Sequence, residues 1–318
     1  MLGWYAVTAE LFGRTLFLAA GELTTLAIPE WGWTVMSSAI VTVTTIYGFR
    51  AIDRLALVAV PFLLLALMAV VVFSLQKVAF SDLLRIDIDV TLSMPTAISA
   101  VVGAAIVGVV LTPDLTRYAR NDVDCVTASF IGQGCGMSIA YLCGMIPVMA
   151  WGELEPMTYM FMAGFGVIAL FVLVFATWTT NVINIYSTAL AVRASVPLGS
   201  YRSVVVAMGI VGTIAALGGI SDNLIEFLVV MGLLVPPIAG VYLADFFYFK
   251  RRDFSPERLE DRPAFRTNAV VVGLGIGVLS TWLYYTDRSL TSIGALDSLF
   301  LSIAAYIALQ KVTGRSRG

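Results

Sequence analysis

A series of about ten apolar segments constrains the fold of this chain more than any other feature. A helix needs roughly 20 apolar residues to cross the hydrocarbon core of a bilayer. Hydrophobic residues make up 59% of the chain and charged residues only 13%, whereas a soluble domain carries about 25% charge. Strand-type alternation is absent, so we predict an all-α integral membrane protein of 318 residues. The segments are roughly Leu2–Ala20, Trp33–Gly48, Leu55–Leu75, Pro95–Thr112, Val123–Ala150, Met157–Ala194, Val204–Gly219, Leu224–Phe249, Asn268–Tyr285 and Ile293–Leu309.

The basic residues predict the orientation of these segments. If the N-terminus is cytoplasmic, 15 of the 19 Lys and Arg residues fall in cytoplasmic loops or in the tail, and only three fall in outer loops. This asymmetry is strong positive-inside evidence. We therefore expect a multi-pass protein of the plasma (inner) membrane with both termini in the cytoplasm. The largest inner loop, Lys250–Arg266, is basic; it either attracts anionic lipid or is an ordinary flank of a spanning segment.

Polar residues recur on one face of the long sixth segment. Their spacing of three and four residues places them on the same side of a helix. Hydroxyls and amides at membrane depth are costly unless something binds them. Two interpretations are open: the residues form hydrogen bonds between helices, or they line a solute and cation site. The residues are Thr177, Thr180, Asn181, Asn184 and Ser187.

Charged and small residues in other segments have a structural and a functional interpretation each. Glu10 and Arg14 are four residues apart and can pair on one helix face, which makes them a structural pair or a functional pair. The small-residue stretch Val102–Gly108 either packs closely against another helix or unwinds to bind a ligand. Three glycines in the fifth segment predict a tight helix crossing; they are Gly132, Gly134 and Gly136.

Two parts of the sequence are candidates for a gate of a transport pathway. Pro236 and Pro237 interrupt the eighth segment, because proline removes backbone donors and breaks a helix. We expect either a mobile gating helix or a static kink there, with the nearby Asp245 neutralised by the basic loop. The other place is the end of the fourth segment, which forms either a salt-bridged helix end or a latch of a gate; its residues are Asp114, Arg117 and Arg120.

Several classes of function find no support in the residues. The chain has no histidine, so no Ser/His dyad is possible and an enzyme is a poor interpretation. The three cysteines do not have the spacing of metal ligands, and an odd number inside the membrane argues against a disulfide framework. We expect no cofactor, no nucleic-acid partner and a monomer in the lipid bilayer.

Together the motifs resemble the nucleobase:cation symporter-1 family, in its cytosine and purine–cytosine permease branch. The order and spacing of the following pieces carry the resemblance: Tyr47–Phe49 with Ala59–Pro61, Asp114–Asn121, Trp178–Asn181, and Pro236–Gly240 with Ala244–Asp245. The resemblance implies a fold of twelve helices, ten of which form two inverted five-helix repeats. It assigns residues 1–318 to one transporter domain made of the family's helices three to twelve, without the first two helices.

The resemblance also implies a substrate site. The tryptophan that stacks on the base corresponds to Trp4, whereas the glutamine that bonds the base falls at Met1. Asn181 and Asn184 are expected to bind the edge of the base, since an amide offers both donors and acceptors.

Two further sets of positions follow from the same resemblance. On the family's sixth helix, this chain has Ala105 and Val107 where an aromatic residue and a serine are usual. The family's sodium site maps onto the backbone carbonyl of Ala176 and the hydroxyls of Thr179 and Thr180. The expected ion is sodium, with a proton as the alternative.

The resemblance implies secondary active import of a nucleobase, cytosine or a purine, by cation symport with alternating access. Alternatives are a permease for allantoin, hydantoin or a thiamine precursor, or a non-transporting membrane fragment or sensor. In the family, the first helix supplies the other half of both sites. We therefore expect an N-terminally incomplete permease sequence, whose 318 residues do not transport by themselves.

Overall fold

A computed structural model describes this chain except for residues 24–26, 48, 84, 86–91, 117–118, 196–198, 250–265 and 314–318; the side chains of 22–23, 49–56, 58 and 114–115 also lie outside the description. Within the described residues, all regular structure is helical. The helices are α1 (Leu2–Leu23), α2 (Glu30–Ile46), α3 (Phe49–Lys77), α4 (Phe80–Leu83), α5 (Met94–Thr116), α6 (Asp122–Ser129), α7 (Met137–Trp151), α8 (Pro156–Met162), α9 (Val167–Ser195), α10 (Tyr201–Leu217), α11 (Leu224–Leu234), α12 (Pro236–Leu243), α13 (Thr267–Tyr285) and α14 (Gly294–Val312). Two π segments, Phe130–Gly136 and Ala244–Phe249, and a 3₁₀ turn, Ile220–Asn223, connect some of them.

Seven helical regions among the described residues are long and apolar enough to cross a membrane. They correspond to seven of the ten predicted segments. The other three predicted segments coincide with α1, which carries Glu10 and Arg14, and with α2 and α10, which have 17 residues each. The all-helical membrane architecture is therefore confirmed, and the count of ten is supported only in part. The seven regions are Ala59–Lys77, Met94–Pro113, Asp122–Trp151, Val167–Ser195, Ile220–Phe249, Thr267–Tyr285 and Gly294–Val312.

The predicted sixth segment is two helices and not one. The helix α8 ends at Met162, and α9 begins at Val167. Between them, Gly164 has φ 84° and Gly166 has φ 48°, a left-handed backbone that other residues adopt only with strain. The continuous apolar pattern hid this break, because glycine is apolar and does not interrupt the hydropathy. The polar face of the segment lies entirely on α9.

The chain divides into two compact units, and each is described by itself. The first unit comprises Met1–Ile88 and Phe130–Leu224. Its centre is a group of four helices, α1, α2, α9 and α10, each of which contacts the other three. Tyr5 and Phe12 of α1 are buried there against Val182, Ile185 and Ala189 of α9. Glycines permit this packing: a Cβ on Gly13 would collide with the backbone of Thr34.

The second unit comprises Asp89–Ser129 and Ile225–Gly318. A Cβ on Gly103 of α5 would collide with the carbonyl oxygen of Leu228, and one on Gly232 of α11 would collide with that of Ser99. The helix α5 runs without interruption through Val102–Gly108. The small-residue stretch therefore serves close helix packing, and it does not unwind in this structure.

The prediction of a tight crossing at Gly132, Gly134 and Gly136 is wrong. All three glycines are exposed and lie in the Phe130–Gly136 π segment. A Cβ on Gly132 would have open space around it, and one on Gly134 would meet only the ring of Phe130 in its own segment. A π turn holds an extra residue, so it changes which side chains face a neighbouring helix. The α-helical spacing that led to the prediction does not apply there.

Alanine at Gly103 should destabilise the second unit, whereas alanine at Gly275 should not. An added Cβ at Gly103 forces α11 away and should cost about 1–3 kcal/mol, as overpacking does. Gly275 has open space around it, so Gly275→Ala should gain up to about 1 kcal/mol from helix propensity. Thermal unfolding in detergent should give opposite signs for Gly103→Ala and Gly275→Ala. Equal melting temperatures would show that the α5–α11 approach is not tight.

Candidate functional site

The candidate site lies on the buried polar face of α9, within the first unit. Asn181 is fully buried, and Asn184, Ser187 and Thr188 are nearly so. Thr180, at the edge of this face, is exposed. The hydroxyl of Thr188 donates to the carbonyl oxygen of Asn184 one turn earlier, at 2.7 Å. That bond satisfies the hydroxyl within its own helix, so the two amides are the polar groups that require an explanation.

Asn181 is held at one end by α1 and has no partner at the other. The hydroxyl of Thr8 donates to Asn181 Oδ1, and it also lies 2.6 Å from the carbonyl oxygen of Trp4. Asn181 Nδ2 is buried without a hydrogen-bond partner. If the amide is turned over, Nδ2 donates to the Thr8 oxygen, and Oδ1 becomes the atom without a partner. In either orientation, one polar atom of this amide has no partner in the described residues.

Asn184 repeats the pattern one turn along α9. Its Nδ2 is also buried without a hydrogen-bond partner in the described part of the chain. An unpaired buried donor costs about 1–3 kcal/mol. The two residues are three apart and therefore lie on one face of α9. The pair is therefore an unsatisfied set of N–H groups that an acceptor-bearing ligand would stabilise.

The opposite face of α9 fixes the helix in place. The indole N–H of Trp178 donates to the hydroxyl of Thr44 on α2 at 3.2 Å. Its ring stacks on Phe175, with centroids 6.2 Å apart. Val182 and Ile185, on the same side, are completely buried. Because α9 is anchored on this side by packing and by a hydrogen bond, the two asparagines are held in defined positions.

The structure places the backbone carbonyl of Trp4 beside this site, and it places Ala105 and Val107 on another element. Trp4 is half-buried on α1, one turn before Thr8. Ala105 and Val107 lie on α5, in the second unit, so their part in a substrate site stays a prediction. Sequence reasoning missed Thr8. Its position four residues after Trp4, on the same helix face, is the signal that could have identified it.

Three oxygen atoms meet at the predicted cation position. The carbonyl oxygen of Ala176 lies 3.1 Å from the hydroxyl of Thr179 and 2.9 Å from that of Thr180. Neutral oxygens of this kind suit a hard cation, but such ions take about six or more ligands. The three atoms fit one side of a coordination shell, so the remaining ligands would have to come from elsewhere.

The predicted pairing of Glu10 with Arg14 is wrong in this structure. Arg14 Nε lies 3.4 Å from Glu155 Oε2, and Glu10 Oε2 accepts a hydrogen bond from the backbone N–H of Ser221 at 2.9 Å. Tertiary neighbours thus replace the local partner. A surface pair between consecutive turns is worth only about 0.3–0.5 kcal/mol, which other partners easily exceed.

The proposed gate residues fall in different environments. Arg117 and the side chain of Asp114 lie outside the described residues, and Arg120 is exposed. Pro236 and Pro237 stand at the first positions of α12, directly after α11 ends, so the predicted helix break is present. The structure shows the break but not motion, and gating stays a prediction.

The fold and this site define a class of protein. The chain resembles Mhp1, a nucleobase-cation-symport-1 family transporter, in a closed conformation with bromovinylhydantoin bound, with a TM-score of 0.76 and 22% identity over 98% of this chain and 74% of that one. It also resembles the inward-facing conformation of Mhp1, with a TM-score of 0.79 and 20% identity over 99% of this chain and 72% of that one. At this identity the likeness shows the fold alone.

The sequence comparisons then give the family. Residues 2–265 match the model of the family described as a permease for cytosine/purines, uracil, thiamine and allantoin. The chain belongs to this family, the cytosine and purine branch of the nucleobase:cation symporters, as its motifs predicted. Cytosine permeases of Escherichia coli O157:H7 and of Escherichia coli strain K12 are 27% identical to it over 279 residues, or 87% of this chain. The chain spans 65% of the length of these relatives.

Substitution of Asn181 by leucine tests whether the polar face serves stability. Leucine has a similar size and removes the unpaired amide, while Thr8 keeps the carbonyl of Trp4 as an acceptor. We expect Asn181→Leu to leave the melting temperature unchanged or to raise it. Ser74→Ala is the control: Ser74 is fully buried and accepts from Trp151 Nε1 at 3.1 Å, so its loss should cost about 1–2 kcal/mol. A large fall in the melting temperature with Asn181→Leu would indicate that the amide has a purely structural role.

Proposed function

We propose that this protein is a secondary active transporter that imports a nucleobase together with a cation. The observation that carries the proposal is the pair of buried N–H groups on Asn181 and Asn184, which have no hydrogen-bond partner among the described residues. A protein pays for such groups when a ligand binds them during its working cycle. Membership of a permease family supports transport in preference to catalysis.

Cytosine is the first candidate substrate. Its carbonyl oxygen and its ring nitrogen are acceptors, and they complement the free amide donors of Asn181 and Asn184. Trp4 lies on α1, the helix whose Thr8 bonds Asn181. Its indole is an apolar surface on which a planar base can stack. The relatives are named as cytosine permeases, which favours the same base. Purines, allantoin, hydantoin and thiamine precursors remain the alternatives for the competition experiment below.

Alternating access fits the arrangement of the helices. The four packed helices of the first unit form a rigid wall that carries the asparagines. In the second unit, the break at Pro236–Pro237 supplies a short helix that can move without unfolding its neighbours. The positive-inside asymmetry of the sequence favours a cytoplasmic position for both termini. We propose sodium as the ion that is imported together with the base. A proton is the alternative coupling ion.

Uptake of radiolabelled cytosine is the direct test. The full product of the natural gene, expressed in bacteria that lack cytosine uptake, should accumulate the label. Excess cytosine should compete more strongly than adenine, hypoxanthine, uracil, allantoin or hydantoin. Protein that reaches the membrane but gives no uptake above the vector control would contradict transport. Binding of cytosine to purified protein without uptake would favour a sensor.

The asparagine face should govern this activity. Asn184→Ala removes one N–H donor to the base and should lower the rate of uptake at low cytosine concentration by about tenfold or more. Ser195→Ala, at the end of the same helix, is the control, because its hydroxyl bonds the carbonyl of Ala191 and it is exposed. Surface abundance of the variants must be equal. Unchanged uptake with Asn184→Ala would remove this residue from the substrate site.

The threonines should govern the ion. Thr179→Val removes one of the three clustered oxygens and should raise the sodium concentration for half-maximal uptake by about tenfold. Thr45→Val is the matched control, because the Thr45 hydroxyl also bonds the carbonyl one turn earlier, that of Val41 at 2.8 Å, and lies on α2 outside the cluster. If uptake depends on pH and not on sodium, the proton alternative replaces sodium.

A further inference from the structure

A groove in the second unit lies outside the site described above. Its volume is about 400 Å³, and it lies among α12, α13, α14 and the Ala244–Phe249 π segment. Its apolar part is formed by Ile238, Val241, Val270 and Leu274. The groove is open to the outside of the chain: Tyr242 on one rim is 64% exposed, and Leu274 is 65% exposed.

The two walls of the groove are single helical stripes. On α13 the stripe consists of Ala269, Val270, Gly273 and Leu274 and begins at Arg266, the residue before the helix. A rise of 1.5 Å per residue makes this stripe about 12 Å long. On the other wall the stripe runs from Ile238 to Asp245. Both stripes are apolar at one end and charged at the other, so the groove is amphipathic along its length.

The charged end is built from a network. Arg266 Nη1 donates to both carboxylate oxygens of Asp245, at 2.9 and 2.8 Å. The hydroxyl of Tyr306 donates to Asp245 Oδ1 at 3.1 Å, and Gln310 Nε2 donates to that hydroxyl at 2.9 Å. This network confirms that Asp245 is neutralised by the basic loop. It also fixes the guanidinium at the mouth of the groove.

The charged end is able to receive a further oxyanion. Arg266 Nη1 makes both bonds to Asp245, and among the described residues the N–H groups of Nε and Nη2 make no hydrogen bond, which leaves donors for a second partner. The helix α13 begins at the same place without a side-chain cap, and the N-terminus of a helix favours a negative group. The walls belong to the candidate spans Ile220–Phe249 and Thr267–Tyr285. Arg266 therefore lies at a membrane interface, and the apolar stripe extends into the hydrocarbon region.

We propose that this groove binds one phospholipid molecule, with the phosphate on Arg266 and an acyl chain between α12 and α13. The phosphate matches the free guanidinium N–H groups, and the chain matches the apolar stripes. The bound chain contacts Ile238 and Val241, which belong to the short helix after the Pro236–Pro237 break. The lipid thus packs against one of the two places that the sequence identified as a candidate gate.

Native mass spectrometry of the detergent-purified protein tests the site. Phosphatidylglycerol should bind as one tight molecule. Diacylglycerol with the same chains lacks the phosphate and should bind about tenfold more weakly. Inorganic phosphate lacks the chains and should not displace the phospholipid. Diacylglycerol that binds as well as phosphatidylglycerol would overturn the assignment of the phosphate to Arg266.

The glycines of α13 offer a matched pair of variants. A Cβ on Gly273 would meet only Ile238, at 3.9 Å, and one on Gly275 would meet nothing within 4 Å. The Cβ of Gly273→Leu therefore enters the groove without a backbone clash, whereas Gly275→Leu adds the same side chain away from the groove. We expect Gly273→Leu to weaken phosphatidylglycerol binding by about tenfold or more and Gly275→Leu to leave it unchanged.

Two further observations keep the test decisive. If Gly273→Leu does not fold, Val270→Phe fills the groove from its exposed rim and should give the same loss. Equal lipid occupancy in the groove-filling variant and in Gly275→Leu overturns the proposal. A dimer that Gly273→Leu dissociates also overturns it, because a second copy of the chain would then occupy the groove.

Discussion

A polar group in the membrane core has no water to bind, so it must find a partner in the protein or in a ligand. Most polar groups of the first unit satisfy this constraint locally, as when threonine hydroxyls bond the carbonyl one turn earlier. Others use tertiary partners: Trp178 bonds Thr44, and Trp151 bonds Ser74. Among the described residues of this unit, four buried side-chain atoms have no partner: Trp33 Nε1, Ser38 Oγ and the Nδ2 atoms of Asn181 and Asn184. Only the two amides lie three residues apart on one helix face. The proposed substrate site follows from that contrast.

Glycine sets how closely the helices approach, and hence where the amides lie. In lipid there is no hydrophobic force between helices, so close backbone contact replaces it. Gly13 allows α2 to reach α1, and Gly103 with Gly232 does the same for α5 and α11. On another face, α1 packs against α9 through Tyr5 and Phe12. A rigid wall of this kind is suitable for a binding site, since a loosely packed one would let the amides find other partners.

The carboxylates of both units bind partners that are distant in the sequence. In the first, Arg14 pairs with Glu155, and Glu10 binds a backbone N–H. In the second, Asp245 collects Arg266 and Tyr306 at the end of a broken helix. Each carboxylate is satisfied by a residue distant in the sequence. The short helix α12, which follows the break at Pro236–Pro237, is thus fixed at its C-terminal end by the Asp245 network. The proposed lipid in the adjacent groove would contact the same helix.

The sequence by itself determined the all-helical membrane architecture, the family and the helix break at Pro236–Pro237, because hydropathy, motif spacing and proline chemistry act locally. It also identified the polar stripe of α9 from helical spacing alone. Only the tertiary structure decided that Thr8 holds Asn181, that Arg14 meets Glu155, and that Gly132 lies in a π segment without a neighbour. Those outcomes depend on which distant surfaces meet, and on a widened helical turn. A periodicity of 3.6 residues contains no information about either.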